Sequence, residues 1–138
     1  MKLEQQVCSL ELAKKLKTLG VKQESFWYWD FYDTDKIINH CDWLNWTAES
    51  QRDSTWREMA LAKTASAFTV AELGEMLPEE EYVSVRQCET WYGLKSGEPN
   101  SQEFFKELAQ ADTEADARAK MLIYLLENNL INPQKVRG

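Results

Sequence analysis

The chain has 138 residues, of which 43% are hydrophobic, and its formal net charge is −7. This length and hydrophobic content predict a single globular domain over 1–138 and exclude a disordered chain. The acidic balance disfavours phosphate backbones and anionic lipid surfaces, so we expect neither nucleic acid nor a membrane as the partner.

Cysteine usage and segment hydropathy predict a cytoplasmic protein. Cys8, Cys41 and Cys88 are widely spaced and odd in number, which argues against a disulfide framework and fits a reducing compartment. The first residues contain no apolar run of signal-peptide length, and no segment approaches the roughly 20 apolar residues of a membrane span. The single histidine, His40, directly precedes Cys41, which is a poor spacing for metal ligands, so no metal is expected.

The first predicted element is a helix over 9–19. Its leucines recur at helical spacing, at Leu12, Leu16 and Leu19. Ser9 is a suitable N-cap, and Gly20 is the expected left-handed residue that ends the helix.

A strand of aromatic residues follows, because the sequence FWYWDFY at 26–32 favours an extended chain over a helix. Alternation divides this strand into two faces. The face expected to join the core consists of Trp27, Trp29 and Phe31. The face expected to point outward consists of Phe26, Tyr28, Asp30 and Tyr32.

The next segment, 36–64, gives weaker signals. It contains a second aromatic cluster around Trp43 and Trp46. A short strand near 36–46 and a helical turn or strand near 55–62 are both compatible with the pattern.

The remaining elements have clearer boundaries. TVAELGEML at 69–77 predicts a short helix with a T-x-x-E capping box. Alternation predicts two antiparallel strands, at 82–85 and 90–95. A loop then leads to a short helix predicted over 102–110.

Thr113 begins a last helix, which extends to about residue 128. Its apolar stripe consists of Ala117, Met121, Tyr124 and Leu125, widened by Leu122 and Leu126. The tail, 132–138, is expected to fray. The order of elements predicts an α+β fold with a small antiparallel sheet of three to four strands packed against three to four helices.

Three stretches, at 9–29, 68–78 and 113–131, together resemble a family of small uncharacterised proteins of bacteriophages and of prophage regions, including those of gut Bacteroidetes. The matching segments cover about fifty residues. The resemblance implies an origin in a mobile element. It implies no activity, cofactor or catalytic residue.

No motif predicts catalysis. The chain contains no G-x-S-x-G, no G-x-G-x-x-G and no phosphate-binding G-x-x-x-x-G-K-[ST] sequence. His40 and Cys41 are neighbours, and neighbours in an extended segment point to opposite sides, so they are not expected to form a dyad. We therefore expect a protein that is not an enzyme and that has no cofactor.

The expected function is that of an accessory protein that binds another macromolecule, above all a host or phage protein. Exposed aromatic residues are enriched at the centres of protein interfaces. The candidate binding site consists of Tyr28, Asp30, Tyr32, Trp43 and Trp46.

Two alternatives remain open. The segment 9–29 has the outline of a helix-turn-helix unit, in which Lys22, Gln23 and Ser25 would lie on a recognition helix that binds nucleic acid. The outward aromatic residues could instead form a platform that stacks on a sugar or on an unpaired base.

Overall fold

The computed structural model describes residues 2–30, 36–39, 64–78, 82–96 and 105–133. The helices of these ranges are α1 (Leu3–Gln6), α2 (Leu10–Thr18), α3 (Val70–Met76) and α4 (Glu114–Glu127). The strands are β1 (Trp27–Asp30), β2 (Lys36–Asn39), β3 (Thr64–Ser66), β4 (Tyr82–Gln87), β5 (Thr90–Ser96) and β6 (Phe105–Ala111).

The strands form two antiparallel sheets of three strands each. The first sheet has the order β2-β1-β3, and the second has the order β4-β5-β6. The predicted α+β class is therefore confirmed. The sequence predicted one such sheet, whereas the described residues contain two.

Helix α4 lies at the centre of the fold. It packs against all three strands of the second sheet and against α1, α2 and α3. Its buried residues are Ala115, Ala117, Ala119, Met121, Leu122, Ile123, Leu125 and Leu126. Burial thus extends well beyond the predicted stripe, because α4 has neighbours on more than one side. One core cluster includes α4 together with Trp29 and Ala65 of the first sheet and Ala109 of the second.

Helix α2 agrees with its prediction at both ends. Gly20 has a φ of +91°, and its N–H donates to Lys17 O (3.1 Å), while Val21 N–H donates to Leu16 O (3.1 Å). These two bonds form the Schellman motif that a left-handed glycine permits. Ser9 is the N-cap, but its side chain makes no capping bond. Instead, its backbone N–H donates to Asp116 Oδ1 (2.7 Å) at the start of α4.

The chain that follows α2 excludes the helix-turn-helix alternative over 9–29. Residues 21–25 are not helical, and 27–30 form β1, which is the middle strand of a sheet. A recognition helix would need a second helix directly after the turn. The bulky aromatic residues favour the extended backbone instead.

Both predicted helices with threonine caps are confirmed. At α3, Thr69 Oγ1 accepts from Glu72 N–H (3.2 Å), and Glu72 Oε1 accepts from Thr69 N–H (3.0 Å), so the capping box is closed. At α4, Thr113 Oγ1 accepts from Asp116 N–H (3.2 Å). These capping signals depend only on residues that are close in the chain, so both helix starts could be predicted from the sequence alone.

The predicted helix over 102–110 is wrong in its described part, because residues 105–111 form β6. This strand pairs with β5, and Ala109 lies opposite Gly93. The pairing satisfies the backbone groups on the second edge of β5, and that long-range gain outweighs a local helical preference. Leu108 has no partner in the register and forms a bulge, so its side chain also packs against the core.

The elements of the middle segment are only partly described. β2 lies within the short strand predicted near 36–46. β3 and α1 were not predicted. The element expected near 55–62 and the end of the tail, 134–138, lie outside the described residues.

Candidate functional site

Tyr28 of the predicted site is buried, with 4% of its surface exposed. The prediction that it points outward is therefore wrong. Its hydroxyl lies 3.3 Å from Ser25 N and 3.4 Å from Gln23 O, so the polar end of the ring is satisfied within the chain. Both faces of β1 carry a buried side chain, Tyr28 on one and Trp29 on the other.

Asp30 lies at the end of β1 and is half-buried. Lys36 is directly opposite it in the register, which is a favourable cross-strand pair of opposite charges. The other three members of the predicted site, Tyr32, Trp43 and Trp46, lie outside the described residues. Within the described residues, the predicted site is thus represented by Tyr28 and Asp30, which lie two positions apart in β1.

A different surface emerges on the second sheet, on the face turned away from α4. Val83 lies opposite Leu94, and Val85 lies opposite Tyr92. Residues that face each other across an antiparallel pair share one side of the sheet. We call these four residues, Val83, Val85, Tyr92 and Leu94, the outer patch.

The positions between them identify the side that faces the helix. Ser84 bonds to Glu114 and Arg118 of α4, and its cross-strand neighbour Gly93 lies against Met121. Alternation therefore directs the outer patch away from α4. None of its four residues belongs to the core cluster or packs against it.

Val83 and Val85 are 38% and 43% exposed, whereas Tyr92 and Leu94 are half-buried. Polar residues continue the same face on β6, where Gln110 lies opposite Tyr92 and Glu107 lies opposite Leu94. The result is an apolar centre with a polar border. This arrangement is typical of a surface that contacts another macromolecule.

The half-buried polar cluster between α4, β4 and α3 serves packing. Arg118 donates to Ser84 Oγ (3.0 Å) and to Val70 O (2.9 Å) and pairs with Glu114 (3.1 Å). Ser84 Oγ–H donates to Glu114 Oε1 (2.7 Å). Each of these charges has a partner inside the cluster, so the arrangement connects three elements and presents no activated nucleophile.

Among the ionisable groups of the described ranges, three have shifted pKa values. Burial raises the pKa of the Cys8 thiol from 9.0 to about 12. Burial also lowers the pKa of Lys17, whose Nζ donates to Thr64 O (2.6 Å). Burial raises the pKa of Asp116, and the bond from Ser9 N–H opposes that rise. Cys8 and Asp116 lie close together, since Asp116 accepts from the N–H of Ser9, but none of the three groups belongs to the outer patch.

Within the described ranges, no group of three or more His, Cys, Asp or Glu side chains is placed to hold a metal ion. The helices of the same ranges include none with the length and hydropathy needed to cross a bilayer.

The sequence contains a signal for the outer patch, but it lies in the sizes of the residues and not in their alternation. The middle positions of the face that α4 covers are small, namely Ser84, Gly93 and Ala109, while Val83, Val85, Tyr92 and Leu94 are on the opposite face. Alternation shows that two faces exist but does not show which one a helix covers. The small residues indicate the covered face, because they allow a close approach of the helix.

Comparisons of this chain with protein-family models, with curated proteins and with solved structures give no match. The outer patch is therefore the feature on which a functional proposal can be based.

Proposed function

We propose that the chain is a non-catalytic accessory protein of phage or prophage type that acts in the cytoplasm by binding a host or phage protein through the outer patch. The phage assignment is supported by the resemblance of 9–29, 68–78 and 113–131 alone. The binding role is supported by one structural observation, which is that the four apolar residues of the outer patch face away from the core.

The chemistry of the surface favours a protein over a charged polymer. Val83, Val85 and Leu94 offer aliphatic contact, and the Tyr92 ring adds a large side chain that loses little conformational entropy on binding. No basic residue belongs to the outer patch, so it offers nothing to neutralise a phosphate backbone. A partner with its own apolar centre is the best complement.

Burial of these side chains gives a measurable contribution. Complete burial of a valine or leucine contributes about 1.5–3 kcal/mol. Since Val83 and Val85 already have more than half of their surface covered, a partner would gain about 1 kcal/mol from each. Together they would change the dissociation constant by a factor of about 10 or more.

The test is a double substitution, Val83→Thr with Val85→Thr. Threonine keeps the β-branched shape and the strand preference but adds a hydroxyl to the contact surface. The tagged protein and this variant are used to capture proteins from host lysate with and without nuclease. The captured protein is then purified, and its affinity for both forms is measured by calorimetry.

We expect one protein to survive nuclease treatment and to bind the double variant about 10-fold more weakly. The matched control is Leu130→Thr, which alters an exposed leucine outside the outer patch and should leave the affinity unchanged. Equal affinity of the wild type and the double variant would disprove the outer patch as the site. Loss of capture after nuclease treatment would favour nucleic-acid binding instead.

The stacking alternative is tested in the same assay. Among the described aromatic residues, Phe26 has a largely exposed ring, and it lies next to β1. If the aromatic segment binds a sugar or a base, Phe26→Ser weakens binding and the double variant does not.

A further inference from the structure

The outer edge of β4 is unpaired as far as the described residues extend. β4 is the first strand in the order β4-β5-β6, and no other strand of the described residues pairs with its outer side. Open edges of sheets are usually protected by lysine, proline or a bulge. The opposite edge, β6, has Lys106 and the bulge at Leu108, whereas β4 has a single charged residue, Arg86, and no bulge. β4 reads YVSVRQ, and its register against β5 is regular over all six residues.

The hairpin turn determines which backbone groups face this edge. Gln87 and Thr90 flank the two-residue turn and therefore form a hydrogen-bonded pair. Such pairs alternate along an antiparallel ladder, so Val85 and Val83 are bonded to β5 as well. The N–H and C=O groups of Tyr82, Ser84 and Arg86 consequently point away from β5, toward the open edge.

We propose that β4 pairs in antiparallel orientation with β4 of a second copy of this chain, about a twofold axis at Ser84. In this register, Ser84 lies opposite its own counterpart, and Tyr82 lies opposite Arg86 of the second copy. All three outward-pointing residues then form hydrogen-bonded pairs. A shift of two residues in either direction leaves one of them without a partner in the strand.

The side chains of β4 suit this register on both faces of the sheet. Val83 lies opposite Val85 of the second copy in a non-hydrogen-bonded pair, where side chains approach most closely. The two outer patches therefore become one apolar surface across the dimer. On the other face, the exposed Arg86 guanidinium lies beside the half-buried Tyr82 ring of the second copy, which is a cation–π arrangement.

The strand's own charge favours a second copy in this antiparallel register. Arg86 is the one charged residue of β4, and parallel pairing in register would place two such arginines opposite each other. Antiparallel pairing about Ser84 separates them by most of the strand's length. A strand with the sequence pattern of β4 is thus complementary to itself. The pairing of β4 with β4 of a second copy does not depend on which protein binds the outer patch.

The experiment compares the wild type with Arg86→Pro and Arg86→Ala by sedimentation equilibrium over a wide concentration range. Proline at position 86 removes an N–H that faces the open edge and leaves the ladder to β5 intact. Alanine removes the same side chain, including its bond to Cys88 O, but keeps the N–H. It is therefore the matched control.

We expect the wild type and Arg86→Ala to reach twice the mass of one chain, 16.1 kDa, and Arg86→Pro to remain at the mass of one chain. A wild type that stays monomeric at the highest concentration overturns the inference. So does an Arg86→Pro variant that still dimerises, because the interface then lies elsewhere.

Hydrogen exchange of the wild type provides a second measurement, which decides the question even if Arg86→Pro fails to fold. Exchange of the amide protons of Tyr82, Ser84 and Arg86 should slow as the protein concentration rises. The amides of Val83 and Val85, already bonded to β5, serve as internal references. Rates that do not change with concentration contradict the pairing. The double valine variant is expected to lose partner affinity yet keep these edge bonds, so the two proposals can fail separately.

Discussion

The distance between α4 and the second sheet is determined by a residue without a side chain. A Cβ on Gly93 would lie 2.4 Å from Met121 Cγ and 2.7 Å from Met121 Sδ. Both residues are buried, so there is little room for either to move. The close approach allows Met121 to fill the space above β5 at Gly93, and the neighbours of Gly93, Tyr92 and Leu94, lie on the outer patch.

We predict that Gly93→Ala destabilises the protein by about 1–3 kcal/mol, because an added methyl group overpacks a filled core. Met121→Ala alone should cost about 2–5 kcal/mol through the cavity that it leaves. In the double variant, the new methyl group occupies part of that cavity, so the loss should be smaller than the sum of the two. Urea unfolding of all four forms measures this coupling. Simple additivity would contradict the contact.

Cys8 provides a residue-scale prediction about pH. Its thiol is fully buried, and its N–H donates to Phe68 O (2.9 Å). Burial raises the folded-state pKa from 9.0 to about 12. Between these two values, the unfolded chain loses the thiol proton while the folded chain keeps it. Linkage then requires that the free energy of unfolding falls as pH rises through this window.

We predict that Cys8 lowers the free energy of unfolding by up to about 1.4 kcal/mol for each pH unit above 9. Other groups titrate in the same range, so the quantity to measure is the difference between the wild type and Cys8→Ala, followed by urea unfolding from about pH 8 to about pH 11. The cavity in the variant adds a constant that does not vary with pH. Parallel curves for the two proteins would show that the thiol is not protected by burial.

At the scale of elements, Arg118 connects three parts of the fold. Its guanidinium bonds to β4 through Ser84, to α3 through Val70 O and to its own helix through Glu114. It also lies on Gly74 of α3, where a Cβ would be 2.3 Å from Arg118 Nη1. A single side chain thus holds α3 beside the second sheet.

We predict that Arg118→Met costs about 1–3 kcal/mol, because it leaves half-buried polar groups without their partner. The matched control is Lys15→Met, which removes the exposed ion pair to Glu127 (2.7 Å) at the surface of α2. That loss should be below about 1 kcal/mol. Thermal unfolding of the three proteins checks the difference. A similar loss in both variants would mean that the bonds of Arg118 contribute no more than a surface pair.

The elements that the sequence predicted well are those with local signals. Helix ends are indicated within a few residues, by Ser9, Gly20, Thr69 and Thr113. The β4–β5 hairpin needs only a two-residue turn. β6 was mistaken for a helix because its identity as a strand depends on pairing with β5. β3, a buried strand of three small residues, gives no periodic signal at all.

The candidate site could be predicted less well than the fold, because exposure depends on tertiary contacts. An aromatic strand does not reveal whether one or both of its faces will be covered, and in this fold both β1 faces are, so Tyr28 is buried. In the same way, Val83 and Val85 alternate with Ser84 as they would in a strand with its valines in the core. The close approach of α4 to Gly93 shows instead that the face of Ser84 is covered and that the valines lie on the other face.

At the scale of the whole molecule, charge opposes self-association. Two chains of net charge −7 repel each other over a Debye length, which is about 8 Å at physiological ionic strength. β4 itself contains no acidic residue, so the repulsion acts at long range while the strand contact is apolar and hydrogen-bonded. Salt screens the long-range repulsion and barely affects the contact between the strands.

We therefore predict that the dimer becomes tighter as salt is raised from about 0.01 M to about 0.5 M. Sedimentation equilibrium at several salt concentrations measures the trend. Binding that weakens with salt would show that attraction between charges dominates the interface. Binding that is independent of salt would show that the acidic residues lie too far from the twofold axis to matter.

The central position of α4 has a consequence for biosynthesis. Helix α4, whose buried residues lie against the second sheet and the other helices, follows every other described element in the chain. The ribosome produces the residues that precede α4 at about 5–20 residues per second. During that time, the second sheet and the other helices lack the helix against which they will pack. The nascent protein therefore passes several seconds with its future interior open to chaperones and proteases. Stable folding of this core must wait until α4 has emerged from the ribosome.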